Sequence, residues 1–276
     1  MLEITILKVV HAGEEEAKKL LPYIKDCHVY ALEAAGSTEN NAQFAEKSWE
    51  NTLKAGVSRS KIKEKYELAK DIGDVEIKKY GLKELDYLAR QGRKLYFVER
   101  FTPEESTVVW QLRAEADTYW DNAQQQFLLQ NFAGYYSNLR KNLCTELEID
   151  LLRDQEIAKN MASAENRIRT RYPEFSAENP LMLAVRIGAR HSPEKYLRTS
   201  PELKIIIPPE LVKENDGSLI VTRKIYQLDT LEPSEFERLA IAYGICNIFN
   251  FPEQEAEKMD TEELKKMLKE RIKKKR

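Results

Sequence analysis

The chain has 276 residues, 42% hydrophobic and 33% charged, with a formal net charge of −2; that length suits one large domain, or a domain with an appendage, and can bury a substantial core. Near-cancelled charge argues against a chain-wide nucleic-acid footprint, and no stretch approaches the ~18 apolar residues needed to span a bilayer. Three widely spaced cysteines, Cys27, Cys144 and Cys246, indicate neither a disulfide framework nor a structural zinc site, and read as small core residues.

Residues Leu2–Val10 alternate and are rich in Ile, Leu and Val, the pattern of a strand rather than of a signal peptide, so a cytoplasmic location is expected. From Gly13 to Lys25 the period is helical, with Ala17, Leu20, Leu21 and Ile24 on one face. A second apolar run, Val29–Ala34, follows at once, and strand, helix, strand in about thirty residues predicts a βαβ unit with parallel strands. Residues 38–92 read as a polar, mostly helical insertion with Trp49, Leu53 and Val57 at helical spacing, stopping at Gln91-Gly92. Lys94–Glu99 is the third strand, and Pro103 suits the first turn of a helix.

Residues 104–180 form a second helical insertion. It holds one or two long helices to residue 145, carrying Trp110, Tyr119, Trp120, Phe127, Phe132, Tyr135 and Tyr136, then a helix over Glu146–Arg171. Helical spacing assigns those aromatics to core packing. After Pro180, Leu181–Ala189 is the most apolar strand in the chain. Beyond His191 the character changes: Lys204–Ile207 and Ser218–Tyr226 are strand-like, and Asn215-Asp216-Gly217 between them signals a hairpin. Pro233 opens a helical region that runs onward to Arg276. The last twelve residues carry eight Lys or Arg, which suit the C-terminal end of a solvated helix.

The resulting fold class is α/β: a mixed, largely parallel central sheet with helices on both faces, large helical insertions and a C-terminal helical extension. Residues 1–200 form the main domain. Residues 201–276 form a hairpin plus helices packed on it or standing as a small appendage.

The ten glycines never fall into a GxGxxG or P-loop arrangement, and no GxSxG elbow, HExxH or kinase set occurs. Ser192 adjoins His191, but neighbours in a chain seldom form a nucleophile–base pair. What remains is positional. His11 follows the first strand, His191 follows Leu181–Ala189, and Glu33 ends Val29–Leu32, beside His11's strand if the βαβ unit holds. Ligands bind at the carboxyl ends of parallel strands. Two imidazoles and a carboxylate there are a donor set for a divalent transition metal, which can activate water and polarise a carbonyl. His28, at the opposite end of its strand, is assigned to the surface.

The residues that carry this pattern also resemble a known family. ILKVVHAGEEEAKKLLPYIKDCHVYALEA is similar to the start of the TraB/PrgY/Tiki family, where one strand ends in GxxH and the next in Glu. IGARHSP contains Gly188-Ala189-Arg190-His191, like the second GxxH of that family. GLKELDYLARQGRKLYFVERFTP resembles its helix and strand ending in an acidic residue and Arg, here Glu99-Arg100. LLRDQEIAKNM resembles its Arg-acid helix and places the arginine at 153. The likeness spans about residues 1–200, with Lys8 standing where the family has Gly, the mark of a divergent member.

The resemblance implies a scaffold shared by metal-dependent proteases, proteins linked to peptide-pheromone shutdown, erythromycin-esterase-like hydrolases and haem-binding proteins. Carried over by residue, His11, His191 and Glu33 would bind a metal, namely manganese, cobalt or zinc. Glu33, Arg153 and Asp154 would be catalytic: Glu33 as ligand or general base, Arg153 steadying an oxyanion, Asp154 holding a partner in orientation. Arg100 and Arg153 would bind substrate. The expected activity is hydrolysis of a peptide or a small ester or amide. No membrane partner is expected, a homo-oligomer is left open, and nucleic-acid contact is confined to the basic tail. The alternative is a non-catalytic ligand- or protein-binding member of the same scaffold, with residues 110–136 as its surface.

Overall fold

A computed structural model describes residues 1–9, 20–33, 37–54, 87–175, 179–188, 190–197, 203–208, 220–227 and 230–275. Its strands are β1 (Leu2–Val9), β2 (Val29–Leu32), β3 (Lys94–Phe97), β4 (Leu181–Gly188) and β5 (Leu203–Ile206). They form one sheet in the order β3-β2-β4-β1-β5, every neighbouring pair parallel. The helices are α1 (Glu39–Lys54), α2 (Pro103–Leu128), α3 (Phe132–Arg171), α4 (Ile220–Ile225), α5 (Pro233–Phe249), α6 (Glu253–Ala256) and α7 (Thr261–Lys275). Residues 20–24 and 87–90 are also helical. This is an α/β protein with helical insertions, as the sequence pattern predicts.

The chain divides into two compact units, Met1–Thr107 with Leu152–Val212, and Val108–Leu151 with Lys213–Arg276. The sequence reading draws its boundary at residue 200 instead. In the structure α2 and α3 contribute residues to both units, and β5 belongs with the first.

In the first unit, period-2 alternation gives the sheet two apolar faces. Leu2, Ile4 and Ile6 of β1, with Leu181, Leu183, Val185 and Ile187 of β4, meet Ile157, Met161, Ala164 and Ile168 of α3. Leu7, Val9, Tyr30 and Ala184 face the other way, with Leu20, Ile24, Trp49 and Leu88. β1 and β2 are parallel but are not neighbours, contrary to the simple βαβ expectation, because β4 lies between them. A strand covered on both faces belongs at the centre of a parallel sheet, and β4 is buried or half-buried along its whole length. Its register with β1 runs from Leu2↔Leu181 to Val9↔Gly188.

The second unit packs Phe127, Tyr135, Leu139 and Leu143 against Leu239, Ile241 and Ile245 of α5 and Leu264 and Leu268 of α7. The Glu146–Arg171 segment is the continuation of α3, a single helix of 40 residues. The preceding break lies at residues 129–131. Gln130 takes φ 58°, its N–H bonds Phe127 O, and that of Asn131 bonds Gln126 O. That pair of bonds is a Schellman stop, built here without glycine.

The expected strand Ser218–Tyr226 is corrected: Ile220–Ile225 is helical, and the Asn215–Gly217 turn lies outside the described residues. Val221 and Ile225, four apart, are buried in the second core. The Val221 and Thr222 N–H groups donate to the Glu253 carboxylate at 2.8 and 3.1 Å. Burial along one helical face and a carboxylate on the orphan amides outweigh β propensity. Other local readings change too. Cys144 is exposed rather than in the core, Trp110 is 57% exposed, and His28 stacks on Phe175 while accepting the Met182 N–H. Among the described residues no helix is long and apolar enough to cross a membrane.

Gly244 of α5 sits where no side chain fits. A Cβ there would stand 2.7 Å from the Phe127 ring and 2.8 Å from the Tyr135 hydroxyl. Gly244→Ala is expected to destabilise the protein by about 1–3 kcal/mol through overpacking, read from the midpoint of urea unfolding. An unmoved midpoint would contradict this packing.

Candidate functional site

At the carboxyl ends of β2, β3 and β4, five ionisable side chains of the first unit meet. Glu33 follows β2, Glu99 lies two residues past β3, His191 follows β4, and Arg153 and Asp154 come from α3. Glu99, Arg153, Asp154 and His191 are all buried.

Arg153 is the hub. Its Nε donates to Glu99 Oε1 at 2.6 Å, and Nη2 stands 3.4 Å from Glu33 Oε1. Glu33 turns its other oxygen, Oε2, toward β4, where the Gly188 N–H donates at 2.8 Å. Asp154 takes the other side: Oδ1 lies 2.7 Å from His191 Nδ1 and Oδ2 accepts the Ser192 N–H at 2.9 Å. His191 Nε2 is then 3.7 Å from Glu33 Oε2. Carboxylate, imidazole, carboxylate, guanidinium and carboxylate thus form one continuous chain from Asp154 to Glu99. The His191 N–H also donates to Gly188 O at 3.0 Å, which anchors its backbone to the end of β4.

Glu33, Arg153, Asp154 and His191, all singled out in the sequence, come together. His11 lies outside the described residues. Arg100 does not join them. Its guanidinium pairs with Glu46 and, at 2.7 Å, with Glu39, and covers the Tyr96 ring at 4.4 Å. Successive residues of an extended segment point opposite ways, so Glu99 and Arg100 serve different clusters.

The sequence pattern gave Glu99 only a flanking place, marked Lys8 only as a departure from the resembled motif, and did not single out Glu194. Lys8 Nζ reaches Glu194 Oε1 at 2.6 Å and Ser192 Oγ at 3.4 Å, tying β1 to the turn that carries His191. The position where the resembled family has Gly therefore holds that turn in this chain. Nothing in the local sequence around Glu194 pairs it with a lysine so far away.

The donor set is tested by its chemistry. With Nδ1 on Asp154, His191 turns Nε2 toward a carboxylate oxygen 3.7 Å away, an arrangement that a hydrogen-bond donor or a cation could serve from both sides. Yet among the described residues no group of three or more His, Cys, Asp or Glu side chains is placed to hold a metal ion. Glu33 and His191 supply two ligands, short of a complete set.

Burial pushes the Glu99 carboxyl above its ordinary 4.5, opposed by Arg153 and reinforced by the Glu33 charge. Among the described residues, Arg153 is the cation paired with both Glu99 and Glu33.

A parallel α/β scaffold with a buried His-carboxylate-Arg cluster at the strand ends is the class that fold and site define. Compared with family models, curated proteins and solved structures, the chain finds no match.

Removing the hub strands two carboxylates, so Arg153→Ala is expected to cost about 3–5 kcal/mol of stability in denaturant titration; a loss below about 1 kcal/mol, the worth of a surface pair, would show that the cluster is not held this way. The raised Glu99 value also fixes a sign. The folded state holds that proton more tightly than the unfolded chain, so the stabilisation is present below 4.5 and is lost as pH rises through the raised value. Parallel unfolding curves should show wild type losing stability relative to Glu99→Gln as pH climbs from 4.5. A pH-independent difference would refute the raised value.

Proposed function

We propose that this protein is a hydrolase acting on an amide or ester, a peptide being the favoured substrate, through His191, Glu33, Asp154 and Arg153. The observation that carries the reading is the 2.7 Å bond between Asp154 and His191 Nδ1, with Nε2 directed at Glu33. An imidazole fixed on one nitrogen by a carboxylate is oriented to exchange protons through the other.

Asp154, itself held by the Ser192 N–H, fixes the ring and stabilises its protonated form. A water lodged by His191 Nε2 and Glu33 would give its proton to the imidazole as its oxygen forms a bond to the substrate carbonyl carbon. The C=O pair moves onto oxygen, and the Arg153 guanidinium offsets that charge. When the bond to the leaving nitrogen or oxygen breaks, the imidazolium returns the proton to it. Side-chain exposure is 16% for Glu33 against 5% for His191 and 7% for Arg153, so Glu33 is the group a substrate meets first.

A divalent metal, manganese, cobalt or zinc, belongs to the same proposal, with His191 Nε2 and Glu33 as two ligands and His11 as the expected third. When bound, such an ion polarises a carbonyl and activates water; no step above depends on it. The order of the motifs around His11, Glu33, Arg153 and His191 supports a divergent member of the TraB/PrgY/Tiki family.

The test is a panel of peptides, esters and amides assayed with chelated protein and again with each metal added. His191→Ala and Asp154→Asn are expected to lower kcat by about 10²–10⁴ while the folded fraction stays near wild type. Full turnover by His191→Ala would end the mechanism. A folded protein that binds peptide but hydrolyses nothing under any metal condition would favour the non-catalytic binding role instead.

A further inference from the structure

A second charged cluster of the first unit takes no part in that chemistry. Between α1, the end of β3 and the last turns of α3 lies a cavity of about 530 Å3. Lys47, Arg100, Arg167 and Arg171 line it, against the carboxylates Glu39 and Glu46; the remaining lining side chains are neutral. Four cations against two anions leave the wall positive.

The arginines are not loose. Arg171 reaches Glu50 through Nε at 2.7 Å and Glu46 through Nη1. Arg100 joins Glu46 to Glu39, with its Nε on Phe97 O at 2.8 Å. Arg167 Nη1 meets Glu39 Oε2 at 2.8 Å. Along this ladder three arginines alternate with Glu39, Glu46 and Glu50, which already balances the charge and suffices to tie α1 to α3. Lys47 adds a cation to the same wall beyond that balance. The inner rungs are buried, Arg100 at 3% and Glu46 at 1% side-chain exposure, whereas Arg167 at the mouth is 43% exposed.

We propose that this cavity is a binding site for a small phosphate-bearing molecule, held by Lys47, Arg167 and Arg171 over the buried Arg100. Guanidinium planes already fixed by carboxylates have little freedom left to lose when an anion arrives. Forked N–H donors match phosphate oxygens, and the nearby ammonium adds a point charge. The volume falls in the range of small-molecule sites and exceeds what inorganic phosphate alone fills. Its charged lining disfavours an apolar occupant, since the Tyr96 ring is covered by Arg100.

Calorimetric titration at low ionic strength tests this with three probes: glycerol 3-phosphate, inorganic phosphate and uncharged glycerol. Glycerol 3-phosphate should bind more tightly than phosphate, and glycerol not at all. Lys47→Gln with Arg167→Gln should weaken glycerol 3-phosphate binding by about tenfold or more, and Lys47→Gln alone, an exposed replacement, should weaken it measurably. His191→Ala, which is expected to stay folded, should leave it intact, which separates this cavity from the His191 site and lets either proposal fail alone. Absence of binding at roughly 10 mM, or binding indifferent to both Lys47 variants, or equal binding of glycerol, would overturn the assignment.

Discussion

Moving a carboxylate from water to a fully buried position costs several kcal/mol unless an opposite charge meets it there. Glu99, with no exposed surface, is such a carboxylate, and Arg153 is what meets it. That single contact fixes which turn of α3 lies over the ends of β2 and β3, and the same guanidinium then takes up Glu33. Were Arg153 displaced by one helical turn, about 5.4 Å, two carboxylates would face each other across the strand ends with no cation between them.

Adjacency on α3 turns this structural need into a site. Consecutive helical residues project about 100° apart, so Arg153 addresses β2 and β3 while Asp154 addresses the turn after β4. One step of helix thereby serves three strand ends. The imidazole of His191 owes its orientation to Asp154 and its distance from Glu33 to the Gly188 amide, which holds the Glu33 carboxylate at the neighbouring strand. Structural and chemical duties are thus carried by the same few atoms.

What could be read from the sequence, and what could not, follows from the range of the interactions. Alternation in Leu2–Val9 and the apolar run at Leu181–Gly188 announce strands because their periodicity is local. The ends of Val29–Leu32 and Leu181–Gly188 announced Glu33 and His191 for the same reason, and a short motif pointed to Arg153. Strand order is non-local, and the insertion of β4 between β1 and β2 leaves no mark on any one segment. The halt before α3 was invisible because Gln130, rather than Gly, adopts the left-handed conformation, while α4 depends on Glu253, over thirty residues away. Arg100 misled for a related reason: it follows Glu99 directly, yet its partners Glu39 and Glu46 belong to a helix whose position only the tertiary fold defines.

The order β3-β2-β4-β1-β5 also sets a timetable for synthesis. β2 can pair with β3 once residue 97 has been made, but the neighbours of β1, β4 and β5, begin only at Leu181 and Leu203. Until then the apolar edge of Leu2–Val9 has no strand to join, and contacts so distant along the chain form slowly and leave hydrophobic segments exposed meanwhile. Made well before both of its neighbours, β1 is the strand of this sheet that waits longest for its partners and gains most from a chaperone's hold during translation.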